Sequence, residues 1–114
     1  MKIAIPIKMN KDNAPLAPLF GKAKWFAMVE EGNVTIQQNP ANGGHAVVEW
    51  LAQSGVDTII IQKMGMTPYK VVQSYGNIKL CHAGSERILL DDVLQKFEAN
   101  TLEILDDTSI KKLL

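Results

Sequence analysis

Gly55-Val56-Asp57-Thr58-Ile59-Ile60-Ile61-Gln62-Lys63-Met64-Gly65-Met66-Thr67-Pro68 reads as a helix stop, a buried strand, a sharp turn and a new helix start. Thr58 to Ile61 is wholly β-branched and too short for a helix. That is the pattern of a central strand covered on both faces, as in a parallel sheet. Gly55 suits the left-handed position that closes a helix, while Thr67 and Pro68 suit the cap and first position of the next one. The turn leaving the strand is therefore a candidate site.

Working outward, Ile3 to Ile7 reads as strand one, with Pro6 placed where the ladder needs no donor. Met9 to Gly21 carries Asn, Asp and Pro without a helical period and predicts a long exposed loop, a kind of segment that is often functional. Trp25 to Val29 is strand two, Glu31-Gly32-Asn33 a hairpin turn, and Val34, Ile36 and Gln38 the alternation of strand three. After the loop Asn39 to His45, Ala46, Val47, Trp50 and Leu51 have the spacing of one helix face. Beyond the central stretch, Val71, Val72 and Tyr75 form the inward face of a second helix. Ile78 to Cys81 is strand five, His82-Ala83-Gly84 its exit loop, and Ser85 caps a third helix bearing Leu90, Val93, Leu94 and Phe97. The tail, Thr101 to Leu114, holds Leu102, Ile104, Leu105, Ile110, Leu113 and Leu114, which pack as a short extension or meet a partner.

The order is β-β-β-α-β-α-β-α. A meander followed by two crossovers makes strands three, four and five parallel to strand one, so the loops after strands one, three, four and five leave at one carboxyl edge. Composition sets further bounds. The 114 residues predict one domain, with 1–100 as its body and 101–114 as a C-terminal extension. Twelve basic and twelve acidic residues cancel and no basic run stands out, which argues against nucleic acid. Cys81 alone forms no internal disulfide and fits a reducing cytoplasm. Pro6 and Lys8 interrupt any signal-peptide core, and no apolar stretch approaches the roughly 20 residues a membrane span needs. The expectation is a cytoplasmic protein, monomeric or weakly dimeric, without membrane contact.

The converging loops gather His45, His82, Cys81, Met64 and Met66. Thiolate, thioether and imidazole together suit soft metals and metal-sulfur clusters better than magnesium or calcium. Each residue also has a plainer reading: Cys81 as a small buried hydrophobe, the methionines as packing or turn residues, His45 as a solvated or capping group. Cys81 and His82 are sequence neighbours and serve one centre only if strand five has ended between them. No Cys-x-x-Cys or His-x-x-x-His is present for a closed zinc site. Gly43-Gly44 at one helix start and Met64-Gly65-Met66 at another offer backbone amides to an anion. Catalysis has little support: no serine sits on a nucleophile elbow, Cys81-His82 lacks an orienting third group, and strand one has no carboxylate for metal-nuclease chemistry.

Met1-Lys2-Ile3-Ala4-Ile5-Pro6, Phe20-Gly21 before Trp25-Phe26, Asn39-Pro40 followed by Gly43-Gly44, and Gly55-Val56-Asp57 before an apolar strand together resemble the dinitrogenase iron-molybdenum cofactor-binding domain family. These are small nitrogenase accessory proteins and stand-alone relatives. The resemblance covers the chain to about Phe97. It implies a ribonuclease H-like fold with a mixed five-stranded sheet of order 3-2-1-4-5. It also implies non-catalytic binding or carriage of an iron-molybdenum-sulfur or related metal-sulfur cluster, with cofactor-assembly proteins as partners in nitrogen fixation. Where the family often has a histidine before Phe-Gly, this chain has Leu19; its turn after strand four is Lys63-Met64-Gly65-Met66-Thr67-Pro68. The ligand expectation therefore moves to His45, Cys81 and His82, with Gly43, Gly44, His45, Met64, Gly65 and Met66 around the cofactor. A different class remains open: a regulatory or scaffold module that binds a small anion in the same crevice or a protein through its tail.

Overall fold

The computed structural model describes residues 1–114. Thr58–Ile61 forms β4, buried at every position and parallel to β1 (Lys2–Ile7) on one side and β5 (Lys79–His82) on the other. β2 (Trp25–Glu30) pairs antiparallel with β1, and β3 (Asn33–Gln38) antiparallel with β2. The sheet order is β3-β2-β1-β4-β5-β6, which contains the expected 3-2-1-4-5 and adds one strand. That sixth strand is Glu103–Ile104 from the tail, antiparallel to β5 through Cys81↔Ile104 and His82↔Glu103.

The alternation of side chains divides the interior into two layers. Ala4, Phe26, Met28, Ile59, Ile61 and Leu80 face α1 (Gly44–Gln53) and α2 (Met66–Tyr75), which contribute Val47, Val48, Leu51, Tyr69 and Val72. Ile3, Ile5, Ile7, Ala27, Val29, Ile60 and Cys81 face α3 (Leu90–Glu98), which adds Leu90 and Val93. Ile59, Ile60 and Ile61 have no solvent exposure, so this one strand nails both layers together at about 1.5–3 kcal/mol per side chain.

Three local expectations are corrected. The segment Met9 to Gly21 is not an exposed loop: Ala14, Pro15, Leu16, Ala17 and Phe20 are buried. β1 and β4 pair only through Ile3↔Thr58 and Ala4↔Ile59. Beyond those pairs the segment wedges between the two strand ends, with Ala17 N–H donating to the Pro6 carbonyl (2.9 Å), Lys63 N–H to Pro18 (3.0 Å) and Phe20 N–H to Lys63 (3.1 Å). Prolines that mimic a loop by composition here sit in an extended insert whose remaining amides find strand partners.

The second correction concerns helix starts. α2 is capped by Gly65, not Thr67, which puts Pro68 one residue before the first intrahelical donor, Tyr69 N–H to Gly65 carbonyl at 3.2 Å. Proline there sacrifices no bond. Ser85 does not cap α3, which begins at Leu90; its Asp91 N–H donates instead to Asn13 Oδ1 at 2.8 Å, from the wedged segment. On α2 the buried face is Pro68, Tyr69 and Val72, while Tyr75 is exposed.

The third is strand five, which runs through His82 because β6 extends its ladder. The tail thus packs as an extension: Leu105 and Ile110 are buried in the α1/α2 layer, and Ser109–Leu113 closes it as a 3₁₀ segment. No helix is long and apolar enough to cross a membrane.

Candidate functional site

β1 and β4 mark the point where the sheet changes from meander to crossover, the place where open α/β sheets bind ligands at their carboxyl edge. A crevice of about 330 Å³ lies there. Its lining comes from the wedged segment (Leu19, Phe20, Gly21, Lys22), the first residue of α1 (Gly44), the β4–α2 turn and first turn of α2 (Lys63, Met64, Gly65, Pro68), and the tail (Leu113, Leu114).

Two helix starts meet at this crevice. The first intrahelical donor of α1 is Val47 N–H, to the Gly43 carbonyl at 3.1 Å, so the amides of Gly44, His45 and Ala46 have no helical acceptor. In α2 two amides, those of Met66 and Thr67, are free in the same way, Pro68 having no N–H, and neither helix has a side-chain cap. Both positive dipole ends are therefore unneutralised. The lining adds Lys22 and Lys63 and contains no Asp or Glu, and neither lysine is paired with a carboxylate. A chain with zero net charge thus concentrates positive potential at one apolar-walled mouth.

The glycines keep the backbone close. Gly43 has φ +91°, a conformation other residues rarely adopt. Gly44 packs so tightly on the Pro68 ring that no side chain fits between them, while a Cβ on Gly21 would touch the Gly44 backbone at 3.7 Å.

Of the residues singled out in the sequence, Gly44, Met64 and Gly65 line the crevice, and Gly43 sets its α1 rim. Met64 is a buried residue of the wall; Met66, on the first turn of α2, is exposed outside the lining. His45 turns along α1, where its Nε2 lies 2.9 Å from Glu49 Oε1. It lines a separate shallow groove with Lys70, Val71, Ser74 and Tyr75. Cys81 is buried on the α3 side of the sheet, and burial pushes its thiol pKa up, away from the thiolate a metal needs.

His82 points to the opposite face from Cys81, because both lie within one strand. Its Nδ1 is 3.8 Å from Glu103 Oε1, and its buried Nε2 has no hydrogen-bond partner. His45, Cys81 and His82 are therefore not brought into one coordination sphere, and no three His, Cys, Asp or Glu side chains converge to hold a metal ion. The sequence reading missed Lys22, Leu113 and Leu114 as lining residues. Lys22 was findable as the residue after Phe20-Gly21; nothing local marks Leu113 and Leu114.

Fold and site together define a mixed α/β domain with an electropositive crevice at its topological switch point. A family model described as "Dinitrogenase iron-molybdenum cofactor" matches residues 1–100, and the chain belongs to this family. It is 35% identical over 114 residues to an uncharacterized protein of Methanocaldococcus jannaschii, covering 86% of this chain and 92% of that one. Among solved structures it resembles the apo form of the orange protein from Desulfovibrio gigas (TM-score 0.81, 20% identity, 91% of this chain and 92% of that one). A Thermotoga protein assigned to the DUF35 family has the same fold (TM-score 0.76, 22% identity, 91% and 92% covered).

Proposed function

We propose that this chain is a non-catalytic binding or carrier protein for an iron-molybdenum-sulfur or related metal-sulfur cluster, passing it between cofactor-assembly proteins. The observation that carries the reading is the convergence of two uncapped helix starts and two unpaired lysines on one crevice without an Asp or Glu side chain. The cargo class is anionic, and backbone amides with lysines stabilise an anion without consuming it. The donor set fits a cargo held mainly by charge and amide contact: Met64 offers one thioether, and the remaining lining side chains offer no metal ligand of the imidazole, thiolate or carboxylate kind. A carrier must release its load, and a site with few direct ligands favours release.

The test is anaerobic mixing of the purified protein with isolated iron-molybdenum cofactor, followed by co-elution of molybdenum and iron. Co-elution in the wild type that falls when Lys22→Gln and Lys63→Gln are combined supports the reading. Absence of co-elution, or co-elution insensitive to that pair, refutes it.

A second reading uses the same charge: a regulatory or scaffold module that takes a small anion in the crevice. It predicts displacement of bound cofactor by millimolar inorganic phosphate or sulfate. Retention of the cofactor through that challenge favours the carrier.

A further inference from the structure

The family match ends at residue 100, yet the crevice is completed by residues beyond it. After β6 the chain is tied down at successive points. Leu105 N–H donates to the Leu80 carbonyl at 2.8 Å, and the Leu105 side chain is buried. The Asp106 carboxylate accepts from the amides of Thr108 (2.9 Å) and Ser109 (2.8 Å), which starts the 3₁₀ segment and holds the Asp106 pKa below the usual carboxylate range. Asp107 Oδ1 accepts from the Tyr69 hydroxyl of α2 at 2.6 Å. Ile110 is 1% exposed in the same layer as Val47, Leu51 and Val72. These anchors give the segment one path, and the path ends with Leu113 and Leu114 in the crevice lining.

Their exposure needs a reason. Leu113 packs partly on the core, but Leu114 is 57% exposed and stands at the same mouth as Leu19, 46% exposed. Burial alone does not account for large apolar side chains left in water beside a crevice. Leucines next to Lys22 and Lys63 build a surface that is apolar and cationic at once. A small, fully hydrated anion gains nothing from the leucines; an anion with its own apolar surface gains from both.

We infer that Leu113 and Leu114 are ligand-contacting residues. On this inference the 101–114 segment is a built wall of the crevice that selects anions carrying apolar surface. It deepens the carrier reading, since the wall belongs to the same crevice, but its test does not require the cargo.

Full-length protein is titrated with anilinonaphthalene sulfonate, an anionic aromatic dye that brightens in apolar surroundings, and in parallel with isolated iron-molybdenum cofactor. The variants are Leu113→Ser with Leu114→Ser, Leu114→Ser alone, and Leu113→Met with Leu114→Met. The serine pair weakens dye binding about tenfold, the single serine by less, and the methionine pair restores it. Because Leu114 is exposed, its single serine variant keeps the fold and answers the question even if the pair does not. Dye affinity unchanged by Leu114→Ser and by the pair overturns the inference. A dye effect without cofactor binding by any variant sustains the wall and refutes the carrier reading. Cofactor bound equally by wild type and serine pair, with dye binding unchanged as well, overturns the wall and leaves the carrier standing.

Discussion

A Cβ added to Gly44 would stand 2.8 Å from Cγ of Pro68 and 3.0 Å from its Cβ and Cδ, nearer than carbon atoms tolerate. The first turns of α1 and α2 therefore touch, backbone against ring, and this contact fixes the two positive helix ends beside each other. Gly44→Ala must push the helices apart. Overpacking of this kind costs about 1–3 kcal/mol, more than the small propensity gain of alanine at a helix start. The expected result in urea denaturation is net destabilisation with weakened cofactor retention. Adding Pro68→Ala, which removes Cγ and Cδ, recovers part of both.

The wedged segment makes a second prediction. Asn13 holds φ +49° and caps α3 from the far end of the chain by accepting from Asp91 N–H. Leu90 N–H to Ala14 carbonyl and Leu16 N–H to Ile88 carbonyl, both 3.0 Å, complete the seam. Asn13→Gly keeps the backbone conformation and loses the cap, about 1 kcal/mol, with a smaller entropic cost from the freer unfolded chain. Asn13→Ala loses the cap and also strains the left-handed backbone, for a total of about 2 kcal/mol. Chemical denaturation of the two variants separates these contributions, and faster amide exchange at Asp91 reports the opened seam.

How far the sequence carried depends on whether a signal is local. Thr58-Ile59-Ile60-Ile61 declared itself because a strand covered on both faces must be apolar at every position. Gly44, Met64 and Gly65 were reachable because parallel topology sends their turns to one edge. Topology says which loops meet, and nothing about where a side chain turns. His45 found Glu49 one helical turn along, and His82 stayed in a strand that β6 prolonged. The burial of Ala14 to Ala17 rests in part on Ile88, Leu89 and Leu90, and the docking of Leu113 and Leu114 on residues equally far along the chain, which no window of sequence contains.

Cys81 gives a third prediction. Its thiol is 2% exposed against the α3 layer, and burial holds its pKa up although Lys79 pulls it down. A thiol reagent reaches it only through opening of the fold. Labelling in native buffer is expected to be at least about a thousandfold slower than in denaturant, matching an opening free energy near 4 kcal/mol. Cys81→Ala is expected to leave cofactor co-elution unchanged. Loss of co-elution in that variant would return the thiol to the binding site.

Tyr69 ties α2 to the tail and makes that tie sensitive to alkali. Its hydroxyl donates to Asp107 Oδ1 and accepts from Gln73 Nε2 at 2.7 Å. Burial, reinforced by the Asp107 carboxylate, raises its pKa from 10.0 to about 12. The folded state thus holds the phenolic proton more tightly than the unfolded chain does. The corresponding stability is fully present below pH 10 and is lost as pH rises from there through about 12. At neutral pH, Tyr69→Phe removes a hydrogen bond to a charged acceptor, worth about 1.5–3 kcal/mol. The stability difference between wild type and Tyr69→Phe should therefore be constant up to pH 10 and shrink above it, while the folded protein keeps the Tyr69 phenol protonated until about 12. If the tail reaches the crevice through this anchor, Tyr69→Phe also weakens dye binding while Leu113 and Leu114 are intact.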